Sequence, residues 1–424
     1  MKTNLLYKKL FLLPAVIMLS ALNVFAQQNT EHFEYTALRG VVLDSTTKEP
    51  LIFASVFIKG TNLGTVSNSN GKFLIKIPGK YAGNTIGISM IGYKTKYLLP
   101  SDFNKINNKI LLQPEVIPMP EVVIRELVPI QLVMAARDKI DENYSNKPVM
   151  MTGFYREWIK KRKQYMEVGE AVLNIYKAAY DDMSDFDKVS VYKGRKGKTA
   201  KRMDTLLVKI QGGPLTFSYL DIVKRPADIL SEDMIYNYDF YLDDILMVDG
   251  RETYKIDFKE KENVQVPLYD GKIFIDVKSL AIVALEFKIP DDRLQASVKY
   301  LIKKKPFNLK VDLLGANYMT KYREINGKWY LNYVRAETRY RFKWKKRLFS
   351  SLYTIASETA ITDIDTMHVE KPKYRNRIKT NYIFSDKISD LEDVDFWGAD
   401  NIIEPEESIR KAIQKISRKL NRNR

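Results

Sequence analysis

Gly64–Ile75 reads GTVSNSNGKFLI, two apolar runs separated by a cluster of Ser, Asn and Gly. Three chemistries compete for such a stretch. As a calcium loop it would offer the oxygens of Ser67, Asn68 and Asn70. Calcium loops, however, want several carboxylates and a closing Glu, and this one has none. As a phosphate loop it lacks a Gly-rich run followed by Lys-Ser/Thr and a helix. As a turn between two strands it fits. Asn70-Gly71 supplies positive φ, Phe73 and Ile75 re-enter a core, and the Asn68 side chain bonds nearby backbone to fix the turn. The first third of the chain therefore reads as strands rather than as a catalytic site.

The same reading extends outward. ALRGVVLD, LIFASVFIKG, GKFLIKI, NTIGISM, KTKYLL and NKILLQP are short β-type runs separated by STTKEP, TNLG and PGKYAGN. Such close spacing, without a helical period, predicts a seven-stranded-type β-sandwich over 37–113. Prolines then break the chain into a semi-rigid linker over 114–129. Pro129 opens a helix whose apolar positions Ile130, Val133, Met134, Ile140 and Tyr144 recur at three- and four-residue steps.

From about Thr152 the sequence returns to strands that are longer and more aromatic. Asp249-Gly250, Asp270-Gly271 and Asn326-Gly327 read as hairpin turns. Tyr254, Ile256 and Phe258 alternate with Lys255, Asp257 and Lys259, and Ile273 and Ile275 alternate with Lys272 and Asp276. Tyr330, Val334, Ala336, Tyr340, Phe342 and Trp344 oppose Arg335, Glu337 and Arg339. This pattern predicts a large antiparallel sheet or half-barrel over 130–400, with one apolar face and one wet face. The helix after Pro129 and the chain's last helix are the available covers. That last segment, 401–424, is a basic amphipathic helix with Ile409, Ile413, Ile416 and Leu420 as its stripe. Acids sit at its start and cations at its end, as the helix dipole favours. The fold class is mainly β.

Composition bounds the function. Lys2, Lys8 and Lys9 precede the apolar run LFLLPAVIMLSAL, and small residues close with Ala26. That order predicts an export signal over 1–26. There is no cysteine, which excludes a lipoprotein anchor, disulfides and thiolate chemistry, and there are only two histidines. The expected location is the periplasm or the outer membrane. A net charge of +17 in an exported chain points to an outer-membrane or other envelope component, such as lipid or lipopolysaccharide, rather than to nucleic acid.

Two resemblances follow from the motifs. Gly40, Val41, Asp44, Pro50-Leu51, Ala54-Ser55-Val56, Gly60-Thr61, Gly64-Thr65, Gly71-Lys72-Phe73 and the run from Ile88-Ser89 to Ile91-Gly92-Tyr93 resemble the carboxypeptidase regulatory-like domain. In bacteria this domain often precedes TonB-dependent receptors. The resemblance implies a transthyretin-like sandwich with a structural or adhesive role, not a peptidase. Relatives place an Asp near the position of Asn68, so a cation role does not carry over. A complete TonB-dependent receptor needs a plug and a barrel of about 22 strands, which the remaining residues cannot supply. Gly250, Tyr254, Ile256, Gly271, Ile273, Ile275, Asp276 and Ser279 more distantly resemble the half-barrel of periplasmic lipoprotein carriers. That resemblance implies an apolar concave face able to hold acyl chains, here Tyr254, Ile256, Phe258, Ile273 and Ile275.

Enzyme chemistry has little to stand on. Asp181-Asp182, Asp243-Asp244 and Asp291-Asp292 are adjacent, and neighbours on a strand point to opposite faces. His32 and His368 read as exposed. The expectation is a non-catalytic binding protein without metal or cofactor. An integral outer-membrane β-barrel is the alternative, and a carboxylate-based hydrolase the third reading. Three basic clusters remain: YKGRKGKTAKR at 192–202, KWKKR at 343–347 and the last helix. Lys345, Lys346, Arg347, Arg418 and Lys419 are the candidate contacts to an anionic surface.

Overall fold

The computed structural model describes residues 35–104, 108–115, 127–198, 213–226, 229–262, 264–265, 268–302, 305–380, 384, 388–390 and 396–413. The expected export signal, His32, most of the proline-containing linker, Arg418 and Lys419 lie outside the described residues.

The N-terminal sandwich has seven strands: β1 Tyr35–Asp44, β2 Ser55–Ile58, β3 Gly64–Val66, β4 Lys72–Pro78, β5 Ile86–Ser89, β6 Lys96–Leu98 and β7 Lys109–Leu112. They form two sheets, in the orders β4-β1-β7 and β3-β2-β5-β6. Inward residues of both sheets, among them Val42, Val56, Phe73, Ile75, Ile88 and Ile110, make one core. At the turn between β3 and β4, Asn68 Oδ1 accepts from the backbone N–H groups of Asn70 and Lys72, at 2.9 and 3.0 Å. The backbone pairs Asn68 with Lys72, and Gly71 alone takes positive φ, at 69°. The loop is thus a three-residue turn with glycine in the left-handed position, rather than a two-residue Asn-Gly turn. The Asn68 side chain also donates to the Glu404 carbonyl at 2.8 Å. Asn68→Ala strips a nearly buried turn of three bonds, and its expected cost is about 2 kcal/mol. Urea unfolding of the single variant checks this; an unchanged midpoint would mean that the turn holds itself.

The second unit is one sheet of eleven strands: β8 Val149–Lys161, β9 Gln164–Lys177, β10 Lys188–Lys198, β11 Tyr238–Val248, β12 Arg251–Glu260, β13 Asp270–Asp276, β14 Ile282–Lys288, β15 Leu309–Ile325, β16 Lys328–Trp344, β17 Ser351–Asp365 and β18 Ser389–Asp390. Their order is β11-β12-β13-β14-β15-β16-β17-β8-β9-β10-β18, antiparallel except for the last pair. The first and last strands of that order do not pair, so the sheet stays open rather than closing into a barrel. Register shifts at Leu242/Asp244, Leu313/Gly315, Lys321/Tyr322 and Ile361/Asp363 bend the long strands, since a bulge raises local twist and curvature.

Asp249-Gly250 and Asn326-Gly327 are two-residue turns with positive φ at both positions. Asp270-Gly271 is not a turn. It lies within β13, where a Cβ on Gly271 would sit 2.2 Å from the Glu286 carbonyl oxygen. Glycine there serves close strand approach.

The helix Pro129–Asp138, with proline in its first turn, covers the concave face as expected. The other covers differ from the expectation. Residues 213–226, the short helix Glu232–Ile235 and the helix Leu294–Leu301 also pack on that face. Residues 407–413 are helical but pack on the opposite, outer face, where Ile409 meets Trp158, Tyr165, Val168 and Ala356. The apolar stripe of that helix finds a second apolar patch that strand alternation alone does not announce.

Candidate functional site

The concave face brings together the residues singled out for it. Ile256 lies opposite Ile273, and Tyr254 opposite Ile275. Ile256, Phe258, Ile273 and Ile275 are fully buried, and Tyr254 is half-buried against the same core. Val133 and Ala136 of the helix and Phe217, Ile222, Val223 and Ile229 of the following segment fill the space in front of them. These side chains stand in a packed core.

A polar cluster pins that filling. Lys177 Nζ lies 2.9 Å from Asp187 Oδ2 and 2.7 Å from Asp221 Oδ2. The Ser218 hydroxyl donates to Asp187, and the hydroxyls of Tyr180 and Tyr322 donate to Asp221. Burial works against the Lys177 charge, but the two carboxylates outweigh it and raise its pKa above the ordinary lysine value. Burial pushes the Tyr180 and Tyr322 hydroxyls well up, with Asp221 adding to it. Two carboxylates do converge here, and both pair with the buried lysine. The acid pairs named from the sequence stay apart: Asp243 pairs with Lys255 at a bulge, and Asp181, Asp182, Asp291 and Asp292 are exposed. His368 is exposed beside Asp365. Among the described residues no three His, Cys, Asp or Glu side chains converge as metal ligands.

The outer face departs most from the expected wet surface. Strand register lines up one residue per strand across β12-β13-β14-β15-β16-β17-β8-β9-β10: Asp257, Lys272, Glu286, Met319, Arg335, Glu358, Arg156, Glu170 and Arg195. Charge alternates along this row, and Met319 is its one uncharged rung. Opposite charges facing each other across strands stabilise a sheet. Toward β8–β10 the row is buried. Arg156 Nη2 is 2.8 Å from Glu170, and Arg156 Nη1 is 3.3 Å from Glu358. Arg195 is 2.9 Å from Glu170, and Arg335 is 3.2 Å from Glu358. Burial raises the Glu170 carboxyl, but Arg156 and Arg195 outweigh it and hold its pKa below the ordinary value.

The sandwich and the segment 396–409 cover this end of the row. Phe53 stacks on Tyr333 with centroids 5.2 Å apart, and Val66 and Leu74 pack with Phe154, Trp397 and Ile403. The Thr65 hydroxyl donates to the Ile402 carbonyl, Asn401 bonds the Lys76 backbone in both directions, and Arg156 donates to the Ile403 carbonyl. Residues 396–409 thus form a strap clasped between the sandwich and the sheet.

Beside the strap a groove of about 470 Å³ stays open. Ile52, Phe53 and Ser69 of the sandwich form one wall, and the outer face of β13–β16 forms the other. Ile52, Phe53 and Met319 give it an apolar lining, with Lys272, Glu286, Arg335 and Glu337 around them. Met319, the uncharged rung, lies among these lining residues. Sequence reading missed this groove, because its walls come from residues more than 200 positions apart. Lys345, Lys346 and Arg347 stand elsewhere, exposed in the turn between β16 and β17.

Comparison with known proteins gives a family for one part of the chain. Residues 38–124 match the family model of the CarboxypepD_reg-like domain. Over 97 residues the chain is 39% identical to the TonB-dependent receptor SusC of Bacteroides thetaiotaomicron, which is 23% of this chain and 8% of that protein. The chain therefore spans less than a tenth of the length of this curated relative. Among solved structures, a DUF1329 family protein from Desulfovibrio piger aligns with TM-score 0.24 and 12% identity, over 55% of this chain and 93% of its own. A LolA superfamily protein from Nitrosomonas europaea aligns with TM-score 0.20 and 9% identity, over 58% and 98%.

Proposed function

We propose that the protein is a non-catalytic binding protein of the cell envelope, holding an apolar ligand with a polar head in the groove between its sandwich and its sheet. The observation that carries this reading is the groove itself. It pairs an apolar lining with charges of both signs at the one uncharged rung of an otherwise continuous ion row. The packing of the concave face directs the proposal to the groove rather than to Tyr254, Ile256, Phe258, Ile273 and Ile275. The envelope location rests on the export signal expected from the sequence and on the 39% identity to a TonB-dependent receptor. Among the described residues no helix is long and apolar enough to cross a membrane.

Native mass spectrometry of protein purified from its own envelope, followed by lipid extraction, tests the reading. A stoichiometric amphiphile is expected on the wild type and is expected to be lost from Ile52→Glu/Met319→Glu. Both residues are solvent-accessible at the groove, so the double variant should fold. A wild-type mass without any adduct would reject the groove as a ligand site.

A further inference from the structure

At one end of the sheet the chain exposes three large apolar side chains. Leu348 and Phe349, in the turn between β16 and β17, are 90% and 81% exposed. Phe307, in the loop before β15, is 93% exposed. Strand register brings them to the same end, with Leu309 opposite Trp344 and Phe342 opposite Ser351. Isolated exposed apolar residues need no explanation, but a turn projecting adjacent Leu and Phe beside a third is an apolar tip.

Cations ring this tip. Lys345 Nζ lies 4.4 Å from the centre of the Phe307 ring, and Lys346 and Arg347 follow it. The β8–β9 hairpin ends at the same place. Tyr353 is opposite Lys161, and the Arg162 N–H donates to the Leu352 carbonyl at 2.8 Å. That hairpin carries Lys160, Lys161, Arg162 and Lys163 in succession. Among the described residues no carboxylate forms an ion pair with Lys345, Lys346 or any of these four.

We infer that this tip is a membrane-docking surface, which inserts Phe307, Leu348 and Phe349 into the interface of an anionic phospholipid leaflet while the surrounding cations engage the head groups. Charge decides the occupant. A second copy seated on the same tip would bring two cationic rings together without neutralising either, whereas an anionic leaflet compensates both the charge and the apolar surface. Lysine and arginine stems suit this position, because they lie along apolar surface while their heads reach phosphate. The tip is seven residues along β16 from Glu337 of the groove, roughly 23 Å, so the two surfaces are separable by mutation.

Co-sedimentation of the purified protein with phosphatidylcholine vesicles, with and without phosphatidylglycerol, tests the inference. Binding is expected only to the anionic vesicles and should weaken as salt screens the cations. Phe307→Ser/Leu348→Ser/Phe349→Ser is expected to lower partitioning at least about tenfold. Lys345→Glu/Lys346→Glu should lower it by about fivefold or more for each position. All five side chains are exposed, so melting temperatures should stay unchanged, and Ile52→Glu/Met319→Glu should bind vesicles as the wild type does. Failure to bind anionic vesicles, equal binding to neutral ones, or indifference to both tip variants would overturn the inference. So would a dimer dissolved by the apolar variant without vesicle binding, which would give the tip to a second copy.

Discussion

Lys177→Met is expected to lower the unfolding free energy by about 4 kcal/mol, because it leaves two carboxylates buried without their cation. The side chains of Lys177, Asp187 and Asp221 are 1%, 1% and 0% exposed, so water cannot replace the ammonium. Methionine fills the volume and supplies no charge. The effect should be local before it is global. Asp187 accepts from Ser218, and Asp221 from Tyr180 and Tyr322, so the cluster ties the 213–226 segment to β9, β10 and β15. Hydrogen exchange should show residues 216–226 losing protection ahead of the sheet. Adding Asp187→Asn and Asp221→Asn should return part of the stability, since neutral amides are cheaper to bury than bare carboxylates. Full wild-type stability in the single variant would contradict the buried pairing. The pH dependence has a definite sign. The folded pKa of Lys177 is raised, so its contribution is complete below the unfolded lysine pKa and is lost as pH rises through the folded value.

Arg156→Met should cost about 3 kcal/mol and loosen the strap. The loss is smaller than for Lys177 because Glu170 keeps Arg195 and Glu358 keeps Arg335. What disappears is the centre of the row and the bond from Arg156 to the Ile403 carbonyl, 2.7 Å long. Limited proteolysis should then cut within 396–409 at protease concentrations that leave the wild type intact. Glu170 supplies a pH signature. Its folded pKa is lowered, so its contribution is present above the unfolded glutamate pKa, about 4.3, and is lost as pH falls through the folded value. Glu170→Gln should therefore flatten the acid limb of the stability curve while lowering stability at neutral pH. An acid limb as steep as that of the wild type would remove Glu170 from the account.

The residues divide clearly between what the chain states locally and what the fold assembles. The Asn68 turn, the Asp249-Gly250 and Asn326-Gly327 hairpins, the helix after Pro129 and the shared apolar face of Tyr254, Ile256 and Phe258 were all legible, since each depends on backbone preference or on alternation within a few residues. Asp270-Gly271 misled because glycine serves close strand approach as readily as it serves a turn. The expected wet face failed for a different reason. Alternation tells which residues share a face of a strand, but not what is packed on that face. Arg335, Glu358, Arg156 and Glu170 look like solvated charges until register sets them side by side and the sandwich and strap cover them.

The sequence by itself determined the mainly β class, the seven-stranded sandwich, the large antiparallel sheet and the chemistry that the missing cysteines exclude. Only the tertiary structure decided that the sheet stays open, that its concave face is packed by its own chain, and that a groove survives between sandwich and sheet. It also gathered Phe307, Leu348 and the Lys160–Lys163 hairpin at one end. The physical reason is the range of the interactions. Turns and periodicity are set by neighbours along the chain, whereas docking, ion pairing across strands and exposed tips depend on partners that only strand register brings together.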